Sequence, residues 1–173
     1  MTEIINTYKQ KVPATRFIGK KYSDSDRVDG SFGSKWGEWF SNGWFGAIER
    51  LINPGFKEVY ADADAYLGLM RWKEGEPFEY WTGMFTPDDA AVLESYGYVD
   101  FPESTLGVCW VYGKEEEVYG REDECSARLM EKGYKIIPDG KGAWWFFERY
   151  GCPRFTTPDD KGNIILDICH FIE

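Results

Sequence analysis

An α+β fold built from a duplicated β-α-β-β motif, with antiparallel sheets, two helices and a central ligand cleft, is what this 173-residue sequence predicts. Three observations carry the prediction. Six short segments alternate apolar and polar side chains and are bounded by Gly, Pro, Asp or Ser, as half-buried strands are. Two further segments repeat apolar residues at helical spacing. The order is strand, helix, strand, strand, and then the same again.

The expected strands are Thr15 to Tyr22, Tyr66 to Trp72, Phe78 to Phe85, Thr105 to Tyr112, Ala143 to Tyr150 and Asn163 to Ile172. Between the first two, Ser34 to Ile52 places Trp36, Phe40, Trp44, Ile48 and Leu51 on one helical stripe, with Ser34 as N-cap. Ser41-Asn42-Gly43 are weak helix formers, so a kink or loosened turn is expected near Gly43. Glu122 to Lys132 reads as the second helix, with Cys125, Leu129 and Met130 inward and Gly133 as its stop. The halves, residues 15–87 and 105–173, form one domain spanning 1–173, joined through Asp88 to Glu103. Ile18-Gly19 and Leu106-Gly107 start corresponding strands in the same way.

Composition narrows the function. With 43% hydrophobic and 18% aromatic residues the chain can bury a substantial core. A net charge of −10 disfavours nucleic acid as a partner, because phosphate binding calls for a basic footprint. No apolar run reaches the roughly 20 residues of a membrane helix, and Met1 to Lys20 lacks the pattern of a secretion signal, so a soluble, cytoplasmic protein is expected. Cys109, Cys125, Cys152 and Cys169 form no CxxC pair and are read as free, buried thiols. With His170 as the single histidine, neither a metal site nor any cofactor is expected. His170 also lacks a serine or cysteine elbow to serve, and is not read as catalytic.

Ala143-Trp144-Trp145-Phe146-Phe147-Glu148-Arg149-Tyr150 is the most telling segment. Alternation puts Trp144, Phe146, Glu148 and Tyr150 on one face and Trp145, Phe147 and Arg149 on the other, so rings cover both. Glu148 is then either a rim residue, half of a structural ion pair, or a carboxylate at the base of a ring-lined pocket. In the last case desolvation raises its pKa and makes it a proton donor or acceptor, or a counter-charge for a cation. Trp36, Phe40 and Trp44 are read as core; Trp39 and Phe45, off the stripe, are exposed or turned toward a cleft. Tyr80, Trp81, Met84, Trp110 and Tyr112 are further wall candidates. Asp167 and Cys169 share a face of the last strand, where an acid among apolar residues repeats the puzzle of Glu148.

These features resemble the GyrI-like family, a small-molecule-binding domain also found as the effector half of certain bacterial transcription regulators. The resemblance rests on the doubled element order, on Phe147-Glu148-Arg149-Tyr150 where the family shows Phe-Glu-x-Tyr, and on Leu166-Asp167-Ile168-Cys169 where it favours an acid followed two residues later by an aromatic. Cys169 and the short acid Asp167 depart from that pattern. The resemblance implies a standalone effector-binding domain with a pocket between the halves and Glu148 as its central acid. Its ligand-binding candidates are Trp39, Phe40, Trp72, Trp81, Trp110, Phe146, Glu148, Tyr150, Asp167 and Cys169, and its ligands are bulky hydrophobic, aromatic or cationic compounds, as in multidrug binding. A tryptophan-rich first helix, Trp36 to Trp44, is similar to a standalone branch in which some members hydrolyse cyclopropane-bearing genotoxins. In that alternative Glu148 is the general acid or base, and Tyr112 or Tyr150 hydrogen-bonds the oxyanion. The expected partner is a small-molecule ligand, with no nucleic acid and no membrane; a homodimer is left open. A protein-interaction role is the blandest reading and does not need so aromatic an interior.

Overall fold

The computed structural model describes residues 2–173. Among them the chain forms β1 (Glu3–Val12), β2 (Thr15–Tyr22), α1 (Gly33–Asn42), α2 (Trp44–Glu49), α3 (Pro54–Val59), β3 (Tyr66–Trp72), β4 (Glu79–Pro87), β5 (Gly97–Phe101), β6 (Ser104–Gly113), α4 (Glu115–Val118), α5 (Glu122–Glu131), β7 (Trp144–Tyr150) and β8 (Ile164–Ile172). The strands make one antiparallel sheet in the order β1-β6-β8-β7-β3-β4-β2-β5. The α+β class and the doubled strand-helix-strand-strand order are as expected from sequence. No helix among the described residues is long and apolar enough to cross a membrane.

Three details differ from the sequence reading, and a fourth, the break in the first helix near Gly43, is as expected. Two edge strands, β1 and β5, add to the expected six, and β5 lies within the stretch read as a joining segment. Asn53 accepts a hydrogen bond from the Phe56 amide at 2.8 Å and Pro54 takes the first helical position, which together start the unanticipated α3. The long first helix is divided by Gly43 at φ 65°, a left-handed conformation that glycine adopts without strain. Ser34 is not its cap, because Phe32 stands there without a side-chain cap.

That break changes which rings are buried. Across a continuous helix the stripe Trp36, Phe40, Trp44 would face inward; with the phase reset at Gly43, Trp39, Phe45 and Ile48 are fully buried and Phe40 is 61% exposed. In α5, Cys125 and Leu129 face the sheet, whereas Met130 points to solvent. Of the four free cysteines, Cys152 is exposed rather than buried.

Residues directly opposite one another on paired strands share a face, so the registers sort the side chains of the sheet. On the front face Ile18 and Met84 pack under Trp39, Phe45 and Ile48 of α1 and α2, while Cys109, Val111, Leu166 and Ile168 pack under Cys125 and Leu129 of α5. On the reverse face Phe17, Leu67, Leu69, Phe85 and Phe147 pack with Phe56 and Tyr60 from α3 and its exit. The two halves meet where β3 pairs with β7, so a residue on the front of either strand lies between α1 and α5.

Candidate functional site

Glu148 occupies that central position. On β7 it lies opposite Gly68 of β3 and Ile168 of β8, facing front, and it is 7% exposed. Along the same seam stand Tyr66 opposite Tyr150, Phe146 between Met70 and His170, and Trp72 opposite Trp144. The result is a row of rings interrupted by one acid.

Gly68 makes room for this arrangement. A Cβ there would come within 2.5 Å of the Tyr80 hydroxyl, so the missing side chain lets the phenol of Tyr80 cross β3 toward Glu148. Tyr80 is held by the Trp36 indole N–H, which donates to its hydroxyl at 2.8 Å, and by a parallel stack with Phe32 at 4.2 Å. Trp36 meets Tyr150 edge to face at 4.9 Å, and the Tyr150 hydroxyl donates to Glu148 at 3.4 Å. Aromatic pairs of this kind contribute roughly 0.5–1.5 kcal/mol each beyond the area they bury. Trp36, Tyr80 and Tyr150 therefore enclose the carboxyl from the α1 side.

From the α5 side comes Glu122, the first residue of that helix, whose main-chain carbonyl lies 3.2 Å from His170 Nε2. Burial and then this second acid push the Glu148 pKa well above the ordinary carboxylate range, with the Tyr150 hydroxyl acting the other way. Burial and the nearby Glu148 charge likewise raise Tyr80 and Tyr150, so both phenols keep their protons. His170, stacked on Phe146 at 5.6 Å, has its pKa lowered to about 4 by burial and is neutral at pH 7. Among the described residues no arginine or lysine forms an ion pair with Glu148.

The reverse face holds the bases. Arg149 is fully buried there and donates to Asp167 at 2.7 Å, to Gln10 at 2.7 Å and to Tyr60 at 3.1 Å, with Asp62 at 3.3 Å. Arg154 closes the group onto Asp167 and, at 2.9 Å, onto Asp62. Two arginines and two aspartates balance one another.

The candidates named from sequence fall into three groups. Phe146, Glu148 and Tyr150 lie together on the front face; Trp72 joins their row at its exposed end, and Phe40 stands exposed on α1 with its ring 6.2 Å from Trp36. Trp39 belongs to the core beneath α1, its indole N–H donating to Tyr22 at 3.0 Å. The third group is not brought to Glu148. Trp81, Trp110, Asp167, Cys169 and Tyr112 share the face of Arg149, because β4, β6 and β8 present those residues on the parity that pairs with Leu69, Val108 and Phe147. Tyr112 bonds to Asp159 there, Trp110 donates to Tyr8 at 3.2 Å, and Asp167 is committed to Arg149 and Arg154.

Glu122 and Tyr119 were not singled out from sequence. Tyr119, in the turn before α5, is raised in pKa by burial and then by Glu115, to which its hydroxyl donates at 3.1 Å, with a smaller push from Glu148. An acid in a helix's first turn is too common to attract notice, and only the fold brings this one against β7. Two open hollows of about 440 and 430 Å³ lie elsewhere, one bounded by Phe101, Trp145 and Phe171 on the reverse face and one by Lys21, Phe78 and Arg71.

Neither protein-family models nor curated proteins match this chain. Solved structures do. SAV2435 bound to tetraphenylphosphonium is similar with a TM-score of 0.68 and 17% identity over 98% of this chain and 94% of that one. A putative bacterial transcription regulation protein from Staphylococcus aureus MU50 follows at 0.65 and 14%, over 98% and 99% of the two chains. A hydrolase from Listeria innocua reaches 0.51 and 9%, over 97% and 92%. At these identities the likeness is one of architecture: the order of strands and helices is that of these neighbours, which are GyrI-like effector-binding domains.

Proposed function

We propose that this protein binds bulky hydrophobic, aromatic or cationic small molecules between α1 and α5, with Glu148 as the acid at the base of the site. The observation that carries the reading is a carboxyl group enclosed by Trp36, Tyr80 and Tyr150 with no basic side chain among the described residues in an ion pair with it. A buried acid without a base costs free energy unless it keeps its proton or meets a cation, and rings beside it favour a flat or delocalised cation. Phe40 and the exposed Trp72–Trp144 pair extend the aromatic surface outward. That a protein of the same fold was solved with tetraphenylphosphonium supports a lipophilic cation as the first probe.

Titration with tetraphenylphosphonium, followed by tryptophan emission, tests this. Saturable quenching is expected, weakened about 30-fold or more in Glu148→Gln, since removing one partner of a desolvated charge pair costs roughly 2–5 kcal/mol. Undiminished affinity in Glu148→Gln overturns the reading.

A second reading, hydrolysis of cyclopropane-bearing genotoxins, is favoured by one feature: Glu148, its pKa raised by burial well above the ordinary carboxylate range, stands beside two phenols, Tyr80 and Tyr150. Such a carboxyl acts as general acid toward a strained electrophile, and of the two tyrosines considered for the oxyanion role Tyr150, joined by Tyr80, takes it in place of Tyr112. Product formation from a cyclopropane-containing alkylator, lost in Glu148→Gln, separates turnover from binding alone.

A further inference from the structure

The sheet does not lie flat. β5 and β8 are five strand spacings apart in its order, about 24 Å in a flat sheet, yet the rings of Phe101 on β5 and Phe171 on β8 stack at 5.1 Å. The sheet therefore curls around its reverse face. Where the ends of β5 and β8 meet the start of β7 it leaves the hollow of about 440 Å³, walled by Phe101, Trp145 and Phe171 with Pro102, Ile137 and Pro138 beside them. That volume is typical of small-molecule sites, which favour the mouths of curled sheets.

The wall is already held in place. Trp145 meets Phe101 edge to face at 5.3 Å, and its indole N–H donates to Asp139 Oδ2 at 2.9 Å. Asp139 is fixed in turn, because its Oδ1 accepts from the amides of Lys141 and Ala143 at 2.8 and 2.9 Å. Burial acts to raise the Asp139 pKa, but these three donors outweigh it and the net direction is down. Three acids, Glu103, Asp139 and Glu173, border the hollow against one base, Lys11. Among the described residues neither Glu103 nor Asp139 is in an ion pair, and Arg71, 5.9 Å over the Trp145 ring, is engaged by Glu76 and Glu79.

We propose that this hollow is a second binding site, separate from the one between α1 and α5, for a small organic ammonium with one flat aromatic body. The body lies on Phe101, Trp145 and Phe171, while the ammonium donates to Glu103 and to the lone pair that Trp145 leaves free on Asp139 Oδ2. Rings beside carboxylates attract such a cation both through the ring face and through the charge. The net charge of −10 on the whole chain favours the same sign of ligand.

Gly140 supplies a blocking variant. It borders the hollow, and a Cβ there meets nothing within 4 Å. The matching turn Pro158-Asp159-Asp160-Lys161-Gly162 closes in the same way and carries Asp160 at the corresponding place, so Gly140→Trp fills the mouth without breaking the turn. The full chain is titrated with naphthylmethylammonium, neutral naphthylmethanol and anionic naphthylacetate. The readout is the Trp145 indole N–H resonance, identified by its loss in Trp145→Phe. A saturable shift is expected, with the cation binding about fivefold tighter than the alcohol and the anion weakest. Glu103→Gln should halve that preference, Gly140→Trp should abolish the shift, and Glu148→Gln should leave it as in the wild type. No saturable shift at Trp145, equal affinities for cation and alcohol, or an undiminished response in Gly140→Trp overturns the proposal. So does a response lost with Glu148→Gln, which would put the cation between α1 and α5 instead. The charge series in the wild type decides the case even where Gly140→Trp fails to fold.

Discussion

Glu148 and Arg149 are adjacent in sequence and back to back in space: the acid faces the rings between α1 and α5, and the base faces Asp62 and Asp167 through the other side of the sheet. Strand alternation separates two opposite charges that could have neutralised each other. Arg149 is satisfied by two aspartates, Gln10 and Tyr60, whereas Glu148 is left to a tyrosine hydroxyl and another acid. That asymmetry makes one member of the pair structural and leaves the other available for chemistry.

The pH dependence of stability follows from Glu148. Its folded pKa lies above the unfolded value of about 4.3, so its contribution is full below that pH and is lost as pH rises through the folded pKa. The urea midpoint is expected to fall across that rise, and Glu148→Gln, which resembles the protonated acid, should flatten the decline. An unchanged slope in the variant would show that the folded carboxyl titrates normally.

His170 works in the opposite sense. Burial lowers its pKa from 6.5 to about 4, so its contribution is present above 6.5 and is lost as pH falls toward 4. The full linkage is on the order of 3 kcal/mol, because moving a pKa by one pH unit between the unfolded and folded states corresponds to about 1.4 kcal/mol. His170→Gln should remove this acid-side loss, read as a smaller drop in urea midpoint between pH 6.5 and 4 than in the wild type.

Removing one partner from the reverse-face network should be costly. Arg149→Met leaves Asp62 and Asp167 with Arg154 alone, and breaking a buried ion pair typically costs about 3–5 kcal/mol. Replacing Arg149 and Asp167 together with apolar residues is expected to cost less than the single change, because no uncompensated charge stays buried. Chemical denaturation of the two variants measures the difference.

Gly68 and Tyr80 should be coupled. Gly68→Ala drives a methyl into the Tyr80 hydroxyl and is expected to destabilise by about 1–3 kcal/mol, as overpacking does, while loosening the Trp36 hydrogen bond. Adding Tyr80→Phe removes the clashing oxygen and should recover part of the loss. A double-mutant cycle with no interaction energy would place Tyr80 elsewhere.

Legibility in the sequence followed burial. β2, β3 and the other inner strands alternate large apolar residues and could be read to within a residue or two; β1 buries only Val12 along its length and β5 has five residues, so neither shows a periodic signal. The face of Glu148 relative to its own strand was readable from parity. The faces of Asp167, Trp110 and Trp81 were not, since parity within one strand says nothing about its register with the next, and register places them with Arg149. Phe40 was misread as core for a different reason: one left-handed glycine at position 43 shifted the helical phase.

The positions of β1 and β5 carry a last consequence. The opening strand of the chain lies against β6 of the second half, and β5, which leads into that second half, lies against β2 of the first. Each half thus wears an edge that chain order would assign to the other, like two hands clasped at the fingertips. Deleting residues 2–12 would strip a neighbour from β6 and leave β2 untouched, and severing the chain between β4 and β5 would yield fragments that need each other's presence to complete their sheets.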